Sequence, residues 1–108
     1  MNDLEIIKKV IYDVANEYNI KIDKIILFGS RARGDYREDS DYDILIITEE
    51  KIDYNIINDF WISLFDRLTD ILHKDIDLIL IDKKDFEKKK IYRGFVYYWA
   101  EKEGILIK

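Results

Sequence analysis

An α/β fold, a short mixed β-sheet with helices packed mainly on one face, is what this sequence predicts. Three observations carry it. Apolar runs of strand length occur at Ile25–Phe28, Ile44–Ile47 and Leu78–Ile81. Three longer segments repeat their apolar residues at three- and four-residue steps, the spacing of one helix face. The two kinds alternate with short connections, and the strands expected at 24–29, 41–48 and 76–82 are near enough in order to share a sheet.

Residues Asn2 to Tyr18 form the first amphipathic helix, with Leu4, Ile7, Ile11, Val14 and Tyr18 on one side and Asn2 or Asp3 as its cap. A second helix is expected from Asp53 to His73. Its stripe of Ile56, Ile57, Phe60, Trp61, Leu64, Phe65, Leu68, Ile71 and Leu72 is wide enough to fill a core and still offer a face to a partner. His73, the only histidine, stands at the helix end, where the dipole favours a cation. Asp82 is placed to cap a last helix from Lys83 to Glu103. Phe86, Ile91, Phe95, Tyr98 and Trp99 mark its apolar side and Gly104 its C-terminal cap. Lys88-Lys89-Lys90 reads as a solvated face of that helix. Ile105-Leu106-Ile107 is long enough for a short edge strand.

At 108 residues the chain has the size of one domain, and 48% apolar residues supply a core. Without cysteine it has neither disulfides nor thiolate metal sites, which fits a reducing cytoplasm. Met1-Asn2-Asp3 is not the basic start of a signal peptide, and no apolar run approaches the roughly 20 residues that span a bilayer. A net charge of −5 argues against direct nucleic-acid binding. It leaves nucleotide binding open, because a metal ion can supply local positive charge.

The chemistry is concentrated between the first two strands. The first strand runs into Gly29-Ser30, where free backbone N–H groups can cradle phosphate and glycine permits close approach. The second begins with Asp41-Tyr42-Asp43. Alternation along a strand puts both carboxylates on one face, followed there by Leu45 and Ile47. No Lys or Arg follows on that face, so the pair calls for a counter-charge, and Mg²⁺ typically binds one or two carboxylates plus substrate phosphates. Lys74 to Ile81 repeats the arrangement, with Asp75, Asp77, Ile79 and Ile81 on one face; spacing alone does not separate Asp75 from Asp77. The glycine turn is not a P-loop, because no GK[ST] follows. Nor is it a dinucleotide-binding fingerprint, because it lacks the first Gly-x-Gly pair. A turn with acidic strand ends that bound nothing would leave three inward carboxylates uncompensated.

Gly29-Ser30-Arg31-Ala32-Arg33-Gly34 followed by Ser40-Asp41-Tyr42-Asp43-Ile44 resembles the signature of the DNA polymerase beta-like nucleotidyltransferase superfamily. GSxARG with SDxD resembles its small branch, the minimal nucleotidyltransferases, which include MntA-type antitoxins of HEPN/MNT toxin–antitoxin pairs. The resemblance implies the polymerase beta-like fold in a single domain over residues 1–108. It implies Asp41, Asp43 and Asp77 as catalytic and metal-binding residues holding two Mg²⁺ ions. Asp77 is the best match to the third carboxylate because it directly precedes Leu78-Ile79. Gly29, Ser30, Arg33, Gly34 and Ser40 would bind the nucleotide, while Arg31 and Arg37 have less definite roles. The implied reaction moves AMP from ATP to a hydroxyl acceptor, such as a tyrosine of a partner HEPN toxin, in the cytoplasm. Two alternatives remain: a non-catalytic module that masks its partner, and a small-molecule nucleotidyltransferase acting as a homo-oligomer.

Overall fold

In the computed structural model, which describes residues 1–107, the chain forms α1 (Asp3–Glu17), β1 (Ile22–Phe28), α2 (Ser30–Arg33), β2 (Tyr42–Thr48), α3 (Tyr54–Leu72), β3 (Ile76–Asp82), α4 (Lys83–Lys89), α5 (Val96–Glu103) and β4 (Ile105–Leu106). The strands pair in the order β3-β2-β1-β4. β1 is antiparallel to β2 and to the short edge strand β4, while β2 and β3 are parallel and joined through α3. This is the expected mixed sheet. Among the described residues no helix is long and apolar enough to cross a membrane.

The two long helices cover one face. The Asn2 side chain accepts the Glu5 N–H at 2.9 Å and starts α1, whose Ile7, Val10, Ile11 and Val14 are buried. Asp53 caps α3 in the same way, and His73 ends it in the left-handed region at φ 54°. Phe60, Leu64, Leu68 and Leu72 of α3 meet Ile25, Leu27, Ile44, Ile46 and Leu78 of the sheet. Trp61 stacks on Phe65 and donates its indole N–H to the Leu78 carbonyl at 2.9 Å, which occupies an acceptor on the edge strand β3. Ile71, expected in the stripe, is exposed instead.

The other face carries Ile26, Phe28, Leu45, Ile47 and Ile81, covered by Phe86 of α4 and Ala100 of α5. Here one expectation is corrected: the last helix is not continuous from Lys83 to Glu103 but breaks between Lys89 and Val96. A straight helix over those residues would be about 32 Å long at 1.5 Å per residue. The seven-residue strands beneath it span about 23 Å. Phe86 and Ala100 both reach the sheet, one on each side of a turn in the chain. The turn takes Ile91, Phe95 and Trp99 out of the core, and all three are exposed. The C-cap at Gly104 is extended, at φ −71°, rather than left-handed. Glycine is needed there for space: a Cβ would lie 2.2 Å from the Ala100 carbonyl oxygen and 2.4 Å from Ile26 Cγ2.

Gly104→Ala is therefore expected to lower stability by about 1–3 kcal/mol through overpacking where α5 meets β1. Gly94→Ala, which meets nothing within 4 Å, should stay within about 0.5 kcal/mol of the parent. Urea denaturation of the two variants checks this.

Candidate active site

The parallel register of β2 and β3 pairs Asp43 with Asp77, about 4.8 Å apart at the strand spacing. Asp41 precedes β2 by one residue, two positions before Asp43 and so on the same side. Asp43 is half-buried and the other two are exposed. Burial, then the charge of Asp77, then that of Asp41, push the Asp43 carboxyl above the usual 3.8, and the Arg33 guanidinium partly offsets them. Asp75 lies one step outside this arrangement; its carbonyl accepts the Tyr42 N–H at 3.0 Å. The geometry thus singles out Asp77, not Asp75, as the neighbour of Asp43.

β1 ends at Phe28, the register partner of Asp43, and delivers Gly29 directly above that carboxylate. Gly29 has φ 72° and ψ −156°, and a Cβ there would sit 2.0 Å from Asp43 Oδ2. Both the backbone conformation and the contact demand glycine. Ser30 begins the single turn of α2, whose first N–H groups have no partner within the helix. Gly34 closes that turn in the left-handed region at φ 88°. Arg33 is exposed, with Asp35 Oδ2 3.5 Å from its Nε. Ser40 closes the loop rather than facing the turn: its Oγ accepts the Arg37 N–H at 2.9 Å.

No residue pattern signals the role of Arg31. Its guanidinium donates to three loop carbonyls, those of Ser40 at 3.0 Å, Glu38 at 2.8 Å and Arg37 at 3.4 Å. Tyr42, against which it packs, donates its hydroxyl to Asp3 at the start of α1. Burial and then that hydrogen bond push the Tyr42 phenol up to about 12.

No group of three His, Cys, Asp or Glu side chains among the described residues is arranged to hold a metal ion. The mutual influence of Asp41, Asp43 and Asp77 is nonetheless clear in the Asp43 carboxyl. The two observations agree if these carboxylates supply only part of a coordination sphere. Their all-oxygen chemistry suits Mg²⁺, which ordinarily takes its remaining ligands from phosphates and water. Two hollows lie elsewhere. One of about 550 Å³ is lined by Asn19, Lys21, Glu49 and Lys83, at the opposite end of the sheet. The other, about 620 Å³, is lined by Glu38, Asp39, His73 and Asp75. Neither is lined by Asp43 or Asp77, and of the three carboxylates Asp41 and Asp77 are open to solvent.

Asp43 is more easily protonated in the folded chain than in the unfolded one. Its contribution to stability is whole below the unperturbed 3.8 and is lost as pH rises through the higher folded-state value. Without divalent cations, Asp43→Asn is expected to raise the urea midpoint at neutral pH. The difference from the parent should vanish in acid, where both side chains are neutral.

Residues 8–102 match the family model described as "Polymerase beta, Nucleotidyltransferase". Two proteins of Methanocaldococcus jannaschii are each 50% identical to part of this chain. "Putative protein adenylyltransferase MJ0604" matches over 56 residues, 52% of this chain and 56% of its own length. "Putative protein adenylyltransferase MJ0141" matches over 50 residues, 46% of this chain and 50% of its own. The chain thus spans about half the length of these curated relatives. A chain in the crystal structure of a toxin–antitoxin with AMP-PNP superposes with a TM-score of 0.63 at 19% identity, over 100% of this chain and 73% of that one. A chain in the structure of a tri-AMPylated Shewanella oneidensis HEPN toxin with its MNT antitoxin gives 0.55 at 19%, over 97% and 71%. The crystal structure of "a putative nucleotidyltransferase from Sulfolobus solfataricus" gives 0.55 at 23%, over 95% and 77%. At these identities the structural likeness establishes the shared fold. The family match covers most of the sequence, from within α1 to the end of α5, and the chain belongs to the polymerase beta nucleotidyltransferase family.

Proposed function

We propose that this chain acts as one domain that transfers AMP from ATP to a hydroxyl of a partner protein, a tyrosine of a HEPN-type toxin, and so serves as its antitoxin. The observation that carries the reading is the register pairing of Asp43 with Asp77 directly beneath the Gly29-Ser30 turn. It puts an anionic, cation-demanding pair beside unpartnered backbone N–H groups, which is what a nucleoside triphosphate with its counter-ion requires. The names of the Methanocaldococcus relatives support protein adenylylation, and the AMPylated toxin bound to the Shewanella antitoxin supports the acceptor class.

In this reading Gly29 and Ser30 hold the triphosphate through backbone N–H and hydroxyl, and Arg33 faces its phosphates. Asp41, Asp43 and Asp77 would hold Mg²⁺, which when bound neutralises phosphate charge and favours ionisation of the attacking hydroxyl. Asp77, the exposed member of the pair, is placed to accept the proton of that hydroxyl. The acceptor oxygen bonds to the α-phosphorus, the bond from that phosphorus to the bridging oxygen breaks, and pyrophosphate leaves. The exposure of Asp41 and Asp77 favours an acceptor that brings its own recognition surface. The exposed Ile91, Tyr92, Phe95 and Trp99 favour a protein-binding role beside catalysis.

Incubation with labelled ATP, Mg²⁺ and a purified HEPN partner tests the proposal. Label should pass to the partner, and Asp77→Asn should slow the transfer by about 10²–10⁴-fold. Neutralisation of the partner by Asp43→Asn as complete as by the parent protein would favour masking instead.

A further inference from the structure

The loop from Gly34 to Asp41 joins the phosphate turn to the carboxylate strand, and residues 35–39 are exposed. Burial does not fix its path. It carries Asp35, Glu38, Asp39 and Asp41, which repel one another, yet it must present Asp41 in register with Asp43. One side chain gathers it. Arg31 Nε donates to the Ser40 carbonyl, Nη2 to those of Arg37 and Glu38, and Nη1 to the Tyr42 hydroxyl at 3.4 Å. Four of its five N–H groups are thereby directed into the protein. Its guanidinium also lies 4.6 Å from the centre of the Tyr36 ring and 4.2 Å from that of Tyr42. Tyr42 is buried and passes the connection on to Asp3, at the first turn of α1. One arginine thus ties three successive parts of the loop to β2, and β2 to α1.

We propose that Arg31, Tyr42 and Asp3 form a clamp that fixes the carboxylate loop, making Arg31 a positioning residue rather than a phosphate ligand. The clamp rests on the proposed transfer for its purpose but not for its existence. The two basic residues of the turn then divide the work. Arg33 is exposed, with Asp35 as its ion-pair partner, and its charge lowers the Asp43 carboxyl, while Arg31 is engaged in holding the loop. Lysine cannot replace Arg31, because one ammonium can neither reach three carbonyls in a fixed fork nor stack on a ring as a planar group does.

Hydrogen exchange of the full chain without nucleotide, combined with transfer kinetics, tests this. In Arg31→Ala the amides of Arg37 and Ser40, hydrogen-bonded to each other's residues within the loop, should exchange about tenfold faster or more, the loss expected when a local opening becomes easier. Peptides from α1 and α3 should be unchanged. Arg31→Lys should not restore protection, and Tyr42→Phe should give a smaller effect confined to the same loop. In transfer, Arg31→Ala should lower kcat by about 100-fold, as a displaced catalytic group does, with KM for ATP nearly constant. Arg33→Ala should instead raise KM. Unchanged loop exchange in both Arg31→Ala and Tyr42→Phe overturns the clamp, as does an Arg31→Ala variant with raised KM and parental kcat. If the parent protein transfers nothing, the proposed function fails and hydrogen exchange alone decides the clamp.

Discussion

Asp43 and Asp77 stand side by side because two parallel strands pair them, and among the described residues neither has a lysine or arginine in ion-pair contact. The repulsion between them, sharpened by the partial burial of Asp43, is relieved by proton uptake or by a cation. A protein under selection for stability alone would place a neutral or apolar residue at one of the two positions. In the proposed transfer, a metal and a phosphate chain held by the glycine turn would relieve the strain together.

The surrounding structure accommodates that pair. Gly29 leaves the space that a Cβ would take from Asp43 Oδ2. The apolar layer beneath, Leu45, Ile47 and Ile81 with Phe86, anchors the strands so that the carboxylates cannot separate. The loop that brings Asp41 alongside has little apolar surface of its own and depends on a single arginine. Rigid strands thus position Asp43 and Asp77, and a polar clamp positions Asp41. Such a division leaves Asp41 the most adjustable of the three.

Much of this was legible in the sequence because it follows from short-range periodicity. The alternation in Asp41-Tyr42-Asp43 and in Asp75-Ile76-Asp77 puts the carboxylates on the correct face, and the apolar steps of α1 and α3 give their buried sides. What escaped was set by distance and by lengths. Spacing left Asp75 and Asp77 on one face; register between β2 and β3, which depends on how α3 crosses the sheet, makes Asp77 the neighbour of Asp43. The bonds of Arg31 go to backbone carbonyls six to nine residues away, and the tie from Tyr42 to Asp3 crosses most of the N-terminal half; neither leaves a residue pattern. The break between α4 and α5 shortens a segment that as one helix would overrun the sheet beneath it, while the local sequence at Lys88-Lys89-Lys90 would continue a helix. Ser40 belongs to the motif, yet its hydroxyl is engaged in the loop.

The most direct test of the carboxylate pair is a carbon-13 NMR titration of the Asp43 carboxyl in metal-free buffer, in the parent chain and in Asp77→Asn. The parent should titrate above the ordinary 3.8, and removal of the Asp77 charge should bring Asp43 back toward it. An Asp43 carboxyl that titrates at the ordinary value in both proteins would contradict the account.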